Sequence, residues 1–413
     1  MLIMDNYVRA VKIMDNLKYW VWLASKRTMN AYKIMLLLEH FDNIQEIYDA
    51  DVYDGIDDIN LKEKRDLLDK SLFHAEEIIE KMDIIGGRIV TFDDAEYPEA
   101  LKSIIPPPYV LYMKGKKLDW KKILAISVVG SRKCTEYGRV VTQKLCHEMA
   151  LAGITIVSGM ARGIDSIAAV SALKMGGTTV AILGCGLDIV YPPENEELME
   201  AIAENGLLIT EYPPSTPPYG HNFPERNRII SGLSRGLLVV EAAERSGTAT
   251  SVARARDYGK DIFAVPGGIF HAESEGTNDM IKKGAIVTTS VRDIFERYPV
   301  EAAQIERASG KTVIIKAPQY AKKKREQRTL NTSVENMKSV QKIPMIMVDD
   351  DRYKGLNENE KRVVSLLLTR SMHIDELVRE SGFGISLLNP ILTVLEMMGH
   401  IKKLPGNNYK LDI

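Results

Sequence analysis

The sequence of 413 residues has little of what would assign it to a functional class at once. It contains three cysteines, Cys134, Cys146 and Cys185, an odd number without the spacing of a structural zinc site. This usage favours free thiols in a reducing cytoplasm over a disulfide framework. The seven histidines form no HExxH motif or other cluster, so we expect no metal site.

Long apolar runs and an excess of charge of either sign are also missing. No run is long enough to span a bilayer, and residues 1–15 mix charged side chains among short apolar pairs, unlike a signal peptide. We therefore expect a cytoplasmic protein with no membrane span. The formal net charge is −2, so a nucleic-acid site would have to be a local concentration of arginine and lysine.

Three short loops rich in Gly and Ser follow apolar runs in the middle of the chain. They are Gly130–Arg132, Ser158–Asp165 and Ser246–Thr248. Such a loop between a strand and a helix presents backbone N–H groups at the positive end of the helix, where phosphate binds well. Three of these loops in one domain, two of them with an arginine, indicate a polyphosphate or nucleic-acid backbone as the ligand.

From Ile123 to Val287, near-continuous Val/Ile/Leu runs alternate with helical segments. This pattern is typical of a doubly wound, mostly parallel sheet covered by helices on both faces. Ligands of such sheets bind at the carboxyl ends of the strands, where all three loops fall. The predicted fold class is therefore α/β with a Rossmann-like core, which we assign to residues 87–305.

The segments on either side of this core have a different character. Residues 1–86 predict a small helical domain, with helices at Tyr19–Leu23, Ala31–Phe41, Ile44–Asp49 and Leu61–Met82. Residues 306–352 lose periodicity, which is typical of a linker. Their basic run, Lys322–Arg325, is compatible with a solvated tether or with a DNA contact.

Residues 353–413 predict a winged helix, in which a hairpin pairs His400–Leu404 with Tyr409–Leu411. Asn389 and Pro390 have the residue types of the cap and first residue of a short third helix. The stretch Gly384–Met398 contains no Lys or Arg, unlike a helix that reads the major groove. We therefore favour a protein-contact or regulatory role for this domain.

The ordered core motifs resemble the DNA-processing protein A family, also called DprA or Smf, over most of the chain. Two departures are Ala168-Ala169, where the family usually has a His, and the Ala249–Ala253 segment. The motifs that carry the resemblance are Val129–Arg132 with Tyr137-Gly138, Ser158–Asp165, Leu183–Asp188 with Tyr191-Pro192, Glu211–Pro213, Phe223–Ser234, Val240–Ala242, Ser246–Thr248, Ala264–Gly267 and Glu275–Asn278.

The resemblance implies a Rossmann-like core, a helical SAM-like N-terminal domain and a C-terminal winged helix. It also implies a cytoplasmic, homodimeric, single-stranded DNA-binding protein. Such a protein protects incoming DNA and loads the RecA recombinase in natural transformation and recombination. No cofactor is implied.

Candidate DNA-binding residues lie in the three loops and in the segment Phe223–Arg228. Arg132 follows a turn at a strand end, where its guanidinium can fork onto a phosphate. For Arg162, an internal salt bridge to Asp165 is an equal alternative. Phe223 beside two arginines matches single-strand binding, although packing under its loop is the alternative. The candidates are Gly130, Ser131, Arg132, Ser158, Gly159, Arg162, Gly163, Phe223, Arg226, Asn227, Arg228, Ser246, Gly247 and Thr248.

A different class of function, a Rossmann-like nucleotide-binding hydrolase of the lysine-decarboxylase-like group, is the alternative. Those hydrolases combine Pro-Gly-Gly with a nearby Gly-Thr and a catalytic Glu. Here Pro266–Gly268 occurs, but Glu275–Thr277 is displaced from it. The carboxylates of Asp165, Asp188 and Glu241 lack a nucleophile–base partner, so we do not expect an enzyme.

Overall fold

The computed structural model describes residues 16–243, 247–309, 356–367, 371–404 and 406–412. The candidate Ser246 and the basic run Lys322–Arg325 lie outside these residues. The chain divides into two compact units, one within Met1–Gln319 and one within Tyr320–Ile413. The finer division at residue 86 stays a prediction.

A sheet in the order β1-β2-β6-β5-β4-β3-β7-β8-β9 forms the centre of the first unit. The pairs β1/β2 and β2/β6 are antiparallel, and the other neighbours are parallel. The mostly parallel sheet is therefore confirmed. Its strands are β1 Arg88–Thr91, β2 Val110–Gly115, β3 Ala125–Val129, β4 Thr155–Ser158, β5 Thr179–Ile182, β6 Leu207–Thr210, β7 Gly236–Val239, β8 Asp261–Ala264 and β9 Ile286–Val287.

Helices cover both faces of this sheet. In β3, alternate residues point to opposite faces and pack against different helices. Ile126 and Val128 pack in one cluster with residues of the two helices that follow β3 and β4. Ala125 and Val129 pack on the other face. The helices are α1 at residues 16–25, α2 Ala31–His40, α3 Ile44–Asp49, α4 Leu61–Leu68, α5 Phe73–Ile84, α6 Glu99–Lys102, α7 Glu136–Leu151, α8 Ile164–Lys174, α9 Glu196–Asn205, α10 Asn222–Leu233, α11 Thr248–Asp257, α12 Ala272–Lys282, α13 Val291–Arg297 and α14 Pro299–Ser309.

The order of strands reverses beside β3, which defines the position of a ligand site. From β3 the chain winds through β4 and β5 to β6 on one side, then returns to place β7 and β8 on the other. The crevice outside the carboxyl ends of β3 and β7 is the switch point where doubly wound sheets bind ligands. Ala168 and Ala169 of α8 are 0 and 1% exposed, so both side chains are buried in the first unit.

The helices α1 to α5 differ from the prediction at one point. The helix expected from Leu61 to Met82 is two helices, α4 and α5. The break occurs because the Asp69 carbonyl accepts hydrogen bonds from Trp22 Nε1 at 2.9 Å and Lys26 Nζ at 2.6 Å. Lys70 then lies over the rings of Trp22 and Tyr53, an arrangement that no local pattern indicates.

These N-terminal helices share a hydrophobic core with one face of the sheet. The cluster that contains Trp20, Trp22 and Leu37 also contains Tyr112 and Leu208 of the strands. Trp20 stacks on Tyr109 with ring centroids 5.8 Å apart. The two parts of the first unit are therefore joined by continuous apolar packing.

The second unit is a winged helix, as predicted. Its third helix runs through Pro390 instead of beginning there, because the Gly384 carbonyl accepts from the N–H groups of Leu387 and Leu388 and starts the helix earlier. That helix has no Lys or Arg. The elements are α15 Glu358–Leu367, β10 Met372–His373, α16 Ile374–Ser381, α17 Ile385–Met397, β11 Ile401–Leu404 and β12 Asn408–Leu411.

Candidate nucleic-acid interface

A cavity of about 420 Å³ lies at the switch point, and we call it the rim pocket. It is bounded by the loops after β3 and β7 and by the start of α10. Eight of the residues predicted from the sequence line it: Gly130, Ser131, Arg132, Phe223, Arg226, Asn227, Gly247 and Thr248. Segments more than 100 residues apart in the chain thus meet at one site.

Arg132 and Phe223 lie next to each other in the lining of this pocket. Arg132 is exposed, and its guanidinium carbon lies 5.7 Å from the centroid of the Phe223 ring. Phe223 is partly buried against Tyr191, whose ring centroid is 5.2 Å away. It also covers Gly184, where an added Cβ would lie 2.9 Å from the ring. The result is a fixed ring with an exposed cation beside it, the pairing that single-stranded nucleic acids use.

The loop after β4 has both inward and outward partners. Ser158 Oγ donates to the Val128 carbonyl at 2.7 Å, and Gly159 N donates to Asp165 Oδ2 at 3.1 Å. Arg162 is exposed and pairs with Glu194, with Nη2 to Oε2 at 3.0 Å. The alternative of an Arg162–Asp165 salt bridge is therefore wrong. Asp165 faces the interior, and Glu194 is the carboxylate that pairs with Arg162.

Gly163 lets this loop approach the loop after β3. Its φ is +76°, and a Cβ built there would lie 2.3 Å from the Ser131 carbonyl oxygen. Ile164 N donates to the same oxygen at 3.2 Å. The conformation of the Arg132 loop therefore depends on a residue without a side chain.

Gly163→Ala is expected to cost about 2 kcal/mol of folding free energy, because a left-handed backbone and a clash with another main chain add together. Gly176→Ala at the other end of α8 is the matched control, since its φ is +68° with nothing within 4 Å. It should cost about 1 kcal/mol. Chemical denaturation measures both. Equal losses for the two variants would contradict the proposed dependence of the Arg132 loop on Gly163.

Arg226 is 3% exposed and lies under the rim pocket. Its Nη1 donates to the Gly159 carbonyl at 2.8 Å and to the Ile182 carbonyl, and its guanidinium lies beside Asp165. Burial raises the pKa of Asp165, whereas Arg226 acts to lower it. The pair holds the loop after β4 from below.

Arg228 is likewise 3% exposed. It donates to the Pro106 carbonyl at 2.9 Å and forms an ion pair with Glu211. Burial raises the pKa of Glu211, and Arg228 opposes this shift. Because both arginines have internal partners, we assign Arg226 and Arg228 a positioning role. Asn227 between them is partly exposed and lines the rim pocket.

The third predicted loop contributes Gly247, which is exposed, and Thr248, which begins α11. Thr250 and Ser251 of the first turn of α11 also line the rim pocket. They were not among the residues predicted from the sequence. Both follow directly after a Gly-Thr helix start, and this signal could have identified them, because the first N–H groups of a helix have no partner within the helix.

Glu241 has a structural role at the edge of the sheet where the strands end. It is 2% exposed, and its carboxylate accepts from Thr135 N at 2.9 Å and from Thr135 Oγ1. It thereby fixes the start of α7.

Pro266–Gly268 line a separate cavity of about 520 Å³. The Pro-Gly-Gly motif therefore does not form part of the rim pocket.

Two negative observations apply to the parts of the chain that the structure describes. Within them, no helix is both long and apolar enough to cross a membrane. The same residues contain no cluster of three His, Cys, Asp or Glu side chains that could hold a metal ion.

The fold and the rim define a Rossmann-like α/β protein with a winged helix, and comparison with known proteins identifies its family. The family model of the DNA recombination-mediator protein A matches residues 88–299 of this chain. The family model of the DprA winged helix domain matches residues 350–407. The chain belongs to the DNA recombination-mediator protein A family, known as DprA or Smf.

Individual relatives agree with this assignment. Protein Smf of Synechocystis sp. is 32% identical over 327 residues, which are 78% of this chain and 80% of that protein. The DNA processing protein DprA of Streptococcus pneumoniae is 41% identical over 202 residues, 49% of this chain and 71% of that protein. An X-ray structure of DprA from Streptococcus pneumoniae has a TM-score of 0.60 at 33% identity, covering 68% of this chain and 97% of that one.

Proposed function

We propose that the rim pocket binds single-stranded DNA and that the protein acts as a recombination mediator. The observation that carries the proposal is the Arg132 guanidinium beside the Phe223 ring, at the switch point of the sheet. The ring offers a stacking surface to a base, and the guanidinium offers a fork to the adjoining phosphate. Gly247 and the first turn of α11 add N–H groups for a second phosphate.

A single strand fits this site better than a duplex. Bases of a duplex are stacked on each other, so a partly buried ring such as Phe223 reaches only an unpaired base. The winged helix does not supply the usual duplex reader, since α17 carries no Lys or Arg. The protein should therefore prefer single strands, with little dependence on sequence.

Arg132→Ala should weaken binding of an oligo-dT about 3- to 10-fold, because it removes one solvent-exposed phosphate contact worth about 1 kcal/mol net. It should also reduce the slope of log K against log salt by about 0.7, the share of one phosphate on a single strand. Fluorescence anisotropy at several salt concentrations measures both quantities.

Arg297→Ala is the matched control for this experiment. Arg297 is also exposed, but it pairs with Asp261 at the start of β8, the opposite edge of the sheet. Its removal should leave affinity and salt slope unchanged. If Arg132→Ala behaves like Arg297→Ala while both fold normally, the DNA does not pass over the rim pocket.

Membership of the family supports the finer parts of the proposal. We propose that the protein is a cytoplasmic homodimer that protects incoming DNA and loads the RecA recombinase in natural transformation. A strand-exchange assay with RecA and a single-strand-binding protein tests the loading step. Nucleoside monophosphate turnover by the purified protein, with no oligo binding, would instead favour the hydrolase alternative.

A further inference from the structure

A second aromatic pair lies on the loop that leads into α10. The rings of Tyr219 and His221 are stacked, with centroids 5.6 Å apart and planes within 8° of each other. Tyr219 is 53% exposed, and His221 is exposed as well. Stacked rings that are not covered by the protein present a flat π-surface to solvent, and they contribute little to the core.

This loop is held rigidly, although its aromatic side chains are exposed. Ser215 N donates to Asp188 Oδ1 at 2.8 Å, and Gly186 N donates to the Thr216 carbonyl at 2.9 Å. Nearer the rings, Tyr219 N donates to the Pro217 carbonyl at 2.8 Å. A loop whose backbone is already ordered loses less entropy when a ligand stacks on its side chain, so this position is suited to binding.

The loop is also tied to the edge of the sheet that carries the rim pocket. Asn222 N donates to the Tyr219 carbonyl at 3.0 Å, and Asn222 Nδ2 donates to the Gly184 carbonyl at 2.9 Å. Gly184 is the residue that Phe223 covers. The two aromatic pairs, Tyr219–His221 and Phe223–Tyr191, therefore flank the N-terminal end of α10.

We propose that Tyr219, supported by His221, is a second base-stacking subsite for single-stranded DNA. This inference rests on the proposed function and extends it. A strand that places one base on Phe223 continues along the rim and places a base further along on Tyr219. Stacking without hydrogen bonds to base edges accepts every base, which suits a protein that binds DNA of any sequence.

The length of the oligo separates this subsite from the rim pocket. Tyr219→Ala should weaken binding of a long oligo-dT about 5- to 20-fold, within the range of one base stacked on an aromatic ring. It should change the affinity for the shortest oligo that still binds by less than about 2-fold, because such an oligo is held at Phe223 alone. Tyr219→Phe keeps the ring and should bind like the wild type at every length.

Tyr137→Ala is the matched control, since Tyr137 is 48% exposed but lines the cavity beside Pro266. It should leave the affinity unchanged at every length. A photo-crosslink from an oligo that carries 5-iodouracil gives a direct readout, and mass spectrometry should map it to Tyr219. Equal affinities of wild type and Tyr219→Ala for long oligos, with no crosslink to Tyr219, would overturn the subsite. Absence of oligo binding by the wild type would instead overturn the proposed function.

Discussion

Arg226→Met is expected to lose about 3–5 kcal/mol of folding free energy, because it leaves the Asp165 carboxylate buried without its cationic partner. Met keeps the packing of the arginine stem, so the loss should come mainly from the missing guanidinium. The hydrogen bonds to the Gly159 and Ile182 carbonyls are lost at the same time. Urea denaturation followed by circular dichroism measures the change.

The pH dependence of this variant identifies the cause of the loss. Arg226 acts to lower the pKa of Asp165, so its removal raises that pKa further above the value in the unfolded chain, about 3.9. A raised folded-state pKa means that stability is kept at low pH and lost as pH rises through the folded value. The deficit relative to the wild type should therefore be larger at about pH 8 than at about pH 5.

The double variant Arg226→Met/Asp165→Asn is the control. It buries no charge, and the new amide side chain keeps an oxygen that can accept from Gly159 N. It should recover part of the stability, since neutral replacements of a buried pair cost less than one broken partner. If the double variant is as unstable as the single one, the buried ion pair is not what fixes the loop.

Phe223→Ala is expected to cost about 1–3 kcal/mol of oligo affinity, the contribution of one stacked base. It should leave the salt slope nearly unchanged, because no charge is removed. Truncation should also cost about 1 kcal/mol of folding free energy, since the ring is only partly buried against Gly184 and Tyr191. Affinity and melting temperature measured on the same protein give both numbers.

The opposite pattern would assign Phe223 to the core. A fully packed Phe loses about 3–5 kcal/mol of stability on truncation. A large drop in melting temperature, with unchanged affinity of the folded fraction, would show that the ring packs under its loop. Phe223→Tyr serves as a control, because it retains the ring and should retain binding.

Much of the site could be predicted because its signals are local. Apolar runs followed by Gly/Ser loops give strand, turn and helix start in order, and parallel strands bring all such loops to one edge. This is why the sequence alone predicts that Arg132 and Gly247 lie at one edge of the sheet. The winged helix followed from equally local signals, a helical periodicity and a hairpin around Pro405–Asn408.

The partners of the arginines could not be predicted, because they are distant in the chain. Arg226 binds carbonyls 44 and 67 residues away, and Arg228 binds one 122 residues away. For Arg162 the sequence offers Asp165 as a neighbour, but its partner Glu194 is 32 residues away. Sequence shows that a cation is present near a loop. Only the fold shows whether that cation already binds a carbonyl or carboxylate from a distant part of the chain.

The packing of Trp20 on Tyr109 has a consequence for the way the protein is made on the ribosome. The first helices leave the exit tunnel well before Tyr109 and Leu208, which complete their cluster. At about 5–20 residues per second, the interval between residues 20 and 208 is roughly 10–40 s. During that time the face of α1 that later meets the sheet stays open to chaperones. The pace of translation, and not only the stability of the finished fold, therefore sets how long this face is at risk of aggregation.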